Sequence, residues 1–259
     1  MTEPLVLYSV ADRIATISIN RPEKRNAMNP ELVALLTSTF NQAAADPEVK
    51  VVVLKAVGNT FSAGADLAYL QQLQQNTYEE NLADSNNLKS LFTTIYYLPK
   101  VVIAQVEGHA IAGGCGLVTV CDITFAVPEA SFGYTEVKLG FVPAIVSCFL
   151  LRKTSETIAK KILLTGSLSS AQEALDYGLI TYVTNKDEID PIVRNFALSL
   201  CNEASSNALM VTKQLIGQTT NPDLDRSLAE AVKINAKVRE SEDFKKGIAA
   251  FISKEKINW

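Results

Sequence analysis

Two segments of this chain gather glycine and other small residues where they can do chemistry: FSAGADL (61–67) and AIAGGCGL (110–117). Each follows an apolar run and precedes a helical pattern, which makes it a strand-to-helix turn. Small side chains there let a ligand approach bare backbone N–H groups, and a helix N-terminus favours negative charge. Such turns can cradle an oxyanion of any kind, or their glycines can simply permit a tight turn. Other chemistries lose support from what is absent. No G-x-x-x-x-G-K-[ST] phosphate loop occurs, and GGCG at 113–116 lacks the third glycine of the dinucleotide fingerprint. H-E-x-x-H and G-x-S-x-G are also missing. His109 is the single histidine, which excludes an imidazole-rich metal site and reads as structural. Cys115, Cys121, Cys148 and Cys201 show no C-x-x-C spacing and read as buried free thiols, so no metal is expected.

The elements that must position these turns follow from the apolar pattern. LVLYSV and RIATISIN, between residues 4 and 20, read as a hairpin. After the loop NRPEKRNAMN, Asn29 can cap a helix with Pro30 at its first position and Leu32, Leu35, Leu36, Phe40 and Ala43 on one face. KVVVLKA (50–56) is a strand, GNTFSAGAD a turn, and Leu67 to about Gln75 a helix. The polar stretch at 71–87 reads as a segment able to act as a mobile lid. It leads to an amphipathic helix with Leu88, Leu91, Phe92 and Ile95, then to the strand VVIAQV. Strand, GHAIAGGCG turn and helix recur, followed by DITFAV and SFG as further strands. This order predicts a parallel, layered α/β arrangement. From Ala144 onward the pattern is helical apart from LITYV (179–183), which follows the capping Gly178. The last helices, around 222–239 and 241–253, carry Leu224, Leu228, Val232, Phe244, Ile248 and Phe251, a stripe able to pack on this chain or on a neighbouring subunit.

The chain has 259 residues, 47% of them hydrophobic, and a formal charge of −4. It can bury one large core, and without a basic run it offers no surface for nucleic acid or an anionic membrane. The acidic, alternating N-terminus lacks the marks of a signal peptide, and the apolar stretch 101–127 is broken by Gln105, Glu107, His109 and Asp122. A cytoplasmic protein with no membrane insertion is expected.

Six segments, NRPEKRNAMN, FSAGADL, EGHAIAGGCGLVTVCD, SFGYTEVKLGFVPA, ALDYGLI and SEDFKKGIAAF, occur in the order and spacing of the crotonase (enoyl-CoA hydratase/isomerase) superfamily. The resemblance covers essentially the whole chain. It implies a spiral of stacked ββα units in a core over 1–195, a helical region over 196–259 for oligomerisation, and assembly as a trimer or hexamer. Carried over by position, the N–H groups of Ala65 and Gly113 would face the thioester oxygen of an acyl-CoA and stabilise the enolate formed during reaction, one such donor typically contributing about 3–4 kcal/mol. Glu136, in FGYTEVKLG, would be the catalytic carboxylate, its pKa raised by an apolar pocket. Lys24, Arg25, Ala27, Ala63 and Ala65 would line the CoA channel, and Lys254 would reach a CoA phosphate. Coenzyme A is then part of the substrate, and no separate cofactor is implied.

One departure matters. Two-carboxylate hydratases of this family carry a second glutamate where this chain has Gly116. Two enzyme readings therefore stay open. The first is hydration of a 2-enoyl-CoA with Glu136 activating water. GGCGLVTVCD followed by TEVKLGFVPAIVS resembles bacterial hydratases assigned to 3-methylglutaconyl-CoA in leucine breakdown. The second is Δ3,Δ2-enoyl-CoA isomerisation, which needs only one carboxylate. A silent acyl-CoA binder and a decarboxylase complete the alternatives. Among other polar residues, Asp122 reads as satisfying backbone donors and Asp66 as a helix cap. Tyr134, Asn86 and Asn87 could reach the acyl pocket but stay outside the catalytic set, because the sequence does not show where their side chains point.

Overall fold

A computed structural model of the chain describes residues 3–220 and 223–255. The hairpin forms as β1 (Val6–Ala11) against β2 (Ile14–Ile19), antiparallel, reversing through Asp12 and Arg13 at φ of +52° and +67°. Helix α1 (Pro30–Ala45) starts where the Asn29 side chain accepts the Leu32 N–H at 2.9 Å. It buries Leu32, Leu36, Phe40 and Ala43. Leu35, expected on the same face, is 38% exposed. The buried residues already follow one stripe at intervals of four, four and three, and Leu35 lies at its edge.

A ββα unit then repeats three times. The first contains β3 (Val51–Ala56), β4 (Thr60–Ser62) and α2 (Leu67–Leu73). After α3 (Tyr78–Tyr96), the second contains β5 (Val101–Val106), β6 (His109–Ile111) and α4 (Gly113–Val120). The third contains β7 (Ile123–Ala126), β8 (Ser131–Gly133), a 3-10 turn at Glu136–Leu139 and α5 (Ala144–Lys153). The first strand of each unit joins one sheet and the second joins another. Next come α6 (Glu156–Thr165), β9 (Ser169–Ser170), α7 (Ala171–Asp176) and β10 (Tyr182–Val183). The large sheet has the order β1-β2-β3-β5-β7-β10, parallel from β2 onward, and the small sheet β4-β6-β8-β9. This is the α/β spiral of ββα units that the resemblance implies. Only Tyr182–Val183 of LITYV pairs as strand, parallel to Phe125–Ala126.

The chain closes with α8 (Ile189–Glu203), α9 (Ser206–Thr220), α10 (Leu224–Val238) and α11 (Glu242–Ser253). The boundary expected at 195–196 falls inside α8. Helix α10 packs on α3 and α5, while α11 packs on the 3-10 turn of Glu136. That second contact is backbone on backbone. A Cβ on Gly247 would lie 2.2 Å from the Leu139 carbonyl oxygen, and one on Gly140 would lie 2.2 Å from that of Asp243.

Gly247→Ala should therefore cost about 1–3 kcal/mol, as overpacking does in a close-packed core. The check is the midpoint of denaturant unfolding. An unchanged midpoint would mean that α11 does not seat on this turn.

Candidate active site

The two glycine-bearing turns meet edge to edge. Gly64 has φ +91°, and a Cβ there would come within 3.0 Å of Ala112 Cβ and 3.1 Å of the Ile111 carbonyl oxygen. A Cβ on Gly114 would lie 2.5 Å from the Ser62 carbonyl oxygen. Glycine is required at Gly64 for both space and conformation. Ala112 takes φ +50° and ψ −124°, a strained setting for a residue with a side chain. Its N–H donates to Gly133 O at 2.7 Å, which ties the turn to β8.

The NRPEKRNAMN loop holds the first turn from the other side. Met28 N–H donates to Gly64 O at 2.6 Å, and Asp66 N–H donates to Met28 O at 2.8 Å. The loop itself is pinned by buried Asn26, whose Nδ2 donates to Val57 O at 2.9 Å and Thr60 O at 2.7 Å while its Oδ1 accepts from the Arg21 N–H. Asp66 caps α2, as expected, and pairs with Arg21 at 2.6 Å. Between these anchors, neither Ala65 N–H nor Gly113 N–H finds a hydrogen-bond partner among the described residues. Gly113 is the first residue of α4, where an unpaired N–H is the rule.

Both residues line a cavity of about 550 Å³ together with Arg25, Ala63 and Glu136. Glu136 opens the 3-10 turn and is buried, and its Oε2 has no partner among the described residues. Burial pushes its pKa up to about 7, against a small opposing pull from its own backbone N–H. Lys24 and Ala27 belong to the neighbouring loop, but neither bounds the cavity. Nor does Lys254, which ends α11 in a left-handed conformation with its side chain exposed.

Gly116 faces the interior of the fold, and the space a side chain would need is taken. A Cβ there would lie 2.7 Å from Val146 Cγ1 and 2.8 Å from Phe92 Cζ. A second carboxylate is thus missing from the sequence, and a side chain at this position would require Phe92 and Val146 to shift.

Several polar residues of the cavity were not singled out from sequence. Arg239 Nη1 donates to Asp84 Oδ2 at 2.6 Å and to Asn81 Oδ1 at 3.3 Å, and Tyr69 OH donates to Asp84. Asn235 Nδ2 donates to Ser85 Oγ at 3.0 Å. The polar stretch at 71–87, read as a segment able to act as a mobile lid, is largely helical. Its residues from Tyr78 onward are helical, started by a Thr77–Glu80 capping box, and buried Asn81 and Ser85 are answered from α10. Tyr134 is fully buried with its hydroxyl against Thr119, and Asn86 bonds to Leu82 O, while Asn87 does line the cavity.

The remaining candidates are structural. Asp122 accepts the Val102 N–H and pairs with Lys213, both at 2.7 Å. The cysteines are free thiols, and burial pushes Cys115 and Cys121 up to about 12. His109 is exposed on β6. Among the described residues no cluster is placed to hold a metal, and no helix is long and apolar enough to cross a membrane.

An apolar cavity that holds a buried carboxyl of raised pKa together with two unpaired backbone donors suits an enzyme that polarises a carbonyl and moves a proton next to it. Comparison with known proteins supplies the class. The model of the enoyl-CoA hydratase/isomerase family matches residues 10–259, and the chain belongs to that family, whose members act on acyl-CoA thioesters. A Thermus thermophilus protein provisionally named an enoyl-CoA hydratase is 41% identical, covering 93% of this chain and 95% of its own. The short-chain-enoyl-CoA hydratase of Clostridium acetobutylicum is 32% identical over 97% and 96%. The crystal structure of an enoyl-CoA hydratase from Mycobacterium avium superposes with a TM-score of 0.88 at 32% identity, covering all of both chains.

The raised pKa of Glu136 has a consequence for stability. The folded carboxyl keeps its proton up to about pH 7, whereas the unfolded one releases it near 4.5. This contribution to stability is therefore fully present below pH 4.5 and is lost as pH rises through 7. Glu136→Gln should become more stable than the parent by roughly 2–3 kcal/mol between pH 5 and pH 8. Parallel unfolding curves at the two pH values would show instead that the carboxyl titrates normally.

Proposed function

We propose that the protein is a hydro-lyase that adds water to a 2-enoyl-CoA. The observation that carries this reading is the buried Glu136 carboxyl, with one oxygen unpartnered, in the same cavity as the Ala65 and Gly113 N–H groups. Glu136 takes a proton from water as the water oxygen bonds to C3. Electrons move to the thioester oxygen, where the two N–H groups stabilise the enolate, and the protonated Glu136 then delivers its proton to C2. A pKa near 7 lets one carboxyl act first as base and then as acid. The hydratase names of the relatives support this direction. The finer reading is 3-methylglutaconyl-CoA as substrate, in leucine degradation. It rests on the likeness of GGCGLVTVCD followed by TEVKLGFVPAIVS, and we keep it together with a trimeric or hexameric, cytoplasmic enzyme that needs no cofactor beyond the CoA of its substrate. Arg25, Ala63, Ala65 and Gly113 would meet the CoA thioester within the cavity, with Lys24 and Ala27 on the adjoining loop and Lys254 outside it.

The packing of Phe92 and Val146 over Gly116 favours a second reading. With no group there to hold water, Glu136 alone could remove the C2 proton of a 3-enoyl-CoA and return it at C4.

Product mass distinguishes the two. Purified protein should add one water to crotonyl-CoA or 3-methylglutaconyl-CoA, and Glu136→Gln should lower turnover at least about a hundredfold. An unchanged mass with a newly conjugated double bond from a 3-enoyl-CoA would establish isomerisation. Near-normal turnover in Glu136→Gln would remove that residue from the mechanism.

A further inference from the structure

The cavity carries a polar group that neither reaction uses. Arg239, at the end of α10, is 4% exposed yet contributes to the cavity wall. Its Nη1 is engaged by Asp84 and Asn81, and its guanidinium carbon lies 5.6 Å from the centre of the Phe141 ring. Its Nε has no partner among the described residues, and neither does Nδ2 of the adjoining Asn81. Both orphans are hydrogen-bond donors, and leaving buried donors unanswered is costly. Asp84, the one carboxylate bonded to the guanidinium among the described residues, is shared with Tyr69 OH. The cluster is therefore rich in donors and short of acceptors.

Three basic side chains line the cavity among the described residues, namely Arg25, Lys138 and Arg239. Arg25 and Lys138 are exposed, whereas Arg239 is buried in the cavity wall beside Asp84. A carboxylate reaching this part of the wall would meet the Arg239 guanidinium, and arginine can engage two carboxylates through different edges of its planar fork.

We propose that Arg239, supported by Asp84, Asn81 and Tyr69, is a specificity-determining subsite for the far end of the acyl group, and that the substrates are CoA thioesters whose acyl chain ends in a second carboxylate. The proposal builds on the acyl-CoA reading of this cavity but does not depend on the direction of the reaction.

The test is binding of two unreactive saturated thioesters, glutaryl-CoA and butyryl-CoA, by titration calorimetry, with hydration assayed separately. The protein should bind glutaryl-CoA at least about tenfold more tightly. Arg239→Met should bring the ratio of the two dissociation constants to one or below, and Arg239→Lys should keep part of the preference. A ratio within one protein is insensitive to partial unfolding, which weakens both ligands together, and the parent comparison needs no variant. A parent that favours butyryl-CoA, or a preference that survives Arg239→Met, overturns the proposal and leaves Arg239 as a tie between α10 and α3. If neither thioester binds, the acyl-CoA reading itself fails together with the subsite. If both bind with the expected ratio but no enoyl-CoA reacts, only the catalytic reading fails.

Discussion

The seam between the turns at 62–66 and 111–114 is the constraint from which the site follows. Two stretches of backbone approach so closely that Gly64 and Gly114 have no room for a Cβ. β4 and β6 pair beside the seam, Met28 clasps its outer side, and Gly133 holds Ala112 in its strained conformation. Main chain that would ordinarily bond to main chain is thereby left with two N–H groups that have no partner among the described residues. Such donors are fixed before a ligand arrives, so no reorganisation is needed when charge develops on a carbonyl oxygen. The two sheets of the spiral serve this end, one holding the core and the other bringing the turns together.

The second constraint is desolvation. A carboxyl in water would be ionised at neutral pH and a weak base. Placed at the head of a 3-10 turn and walled in by apolar side chains, Glu136 is held close to the midpoint of its titration at neutral pH. The C-terminal helices complete that wall. Helix α11 lies on the Glu136 turn through the bare backbone of Gly140 and Gly247, and α10 brings Arg239 and Asn235 to the cavity. The helical region therefore belongs to the site as well as to the outer surface of the fold.

Much of this was legible in the residues. The β-branched runs marked the long strands, Asn29 and Pro30 marked the start of α1, and the small residues marked both turns. β4 and β6 were read as parts of turns because three residues show no periodicity. The start of α3 was misread because Asn81 and Ser85 interrupt its apolar pattern, and their partners Arg239 and Asn235 lie some 150 residues away. No local rule couples such positions. Glu136 was found through resemblance to a family, since nothing in FGYTEVKLG says that the glutamate is buried. At Gly116 the residue type reported that a carboxylate is lacking, and only the packing reports that Phe92 and Val146 occupy its place. Lys254, assigned to a CoA phosphate through the resemblance, stands outside the cavity.

The central claim is that the backbone at Ala65 and Gly113 polarises a thioester carbonyl before any bond changes. Infrared difference spectroscopy of crotonyl-CoA labelled with carbon-13 at its carbonyl, bound to Glu136→Gln so that turnover is suppressed, measures this directly. The account predicts that the carbonyl stretch moves to lower frequency on binding, because two N–H groups draw electron density onto the oxygen. A bound thioester whose carbonyl stretch matches that of the free ligand in an apolar solvent would contradict it.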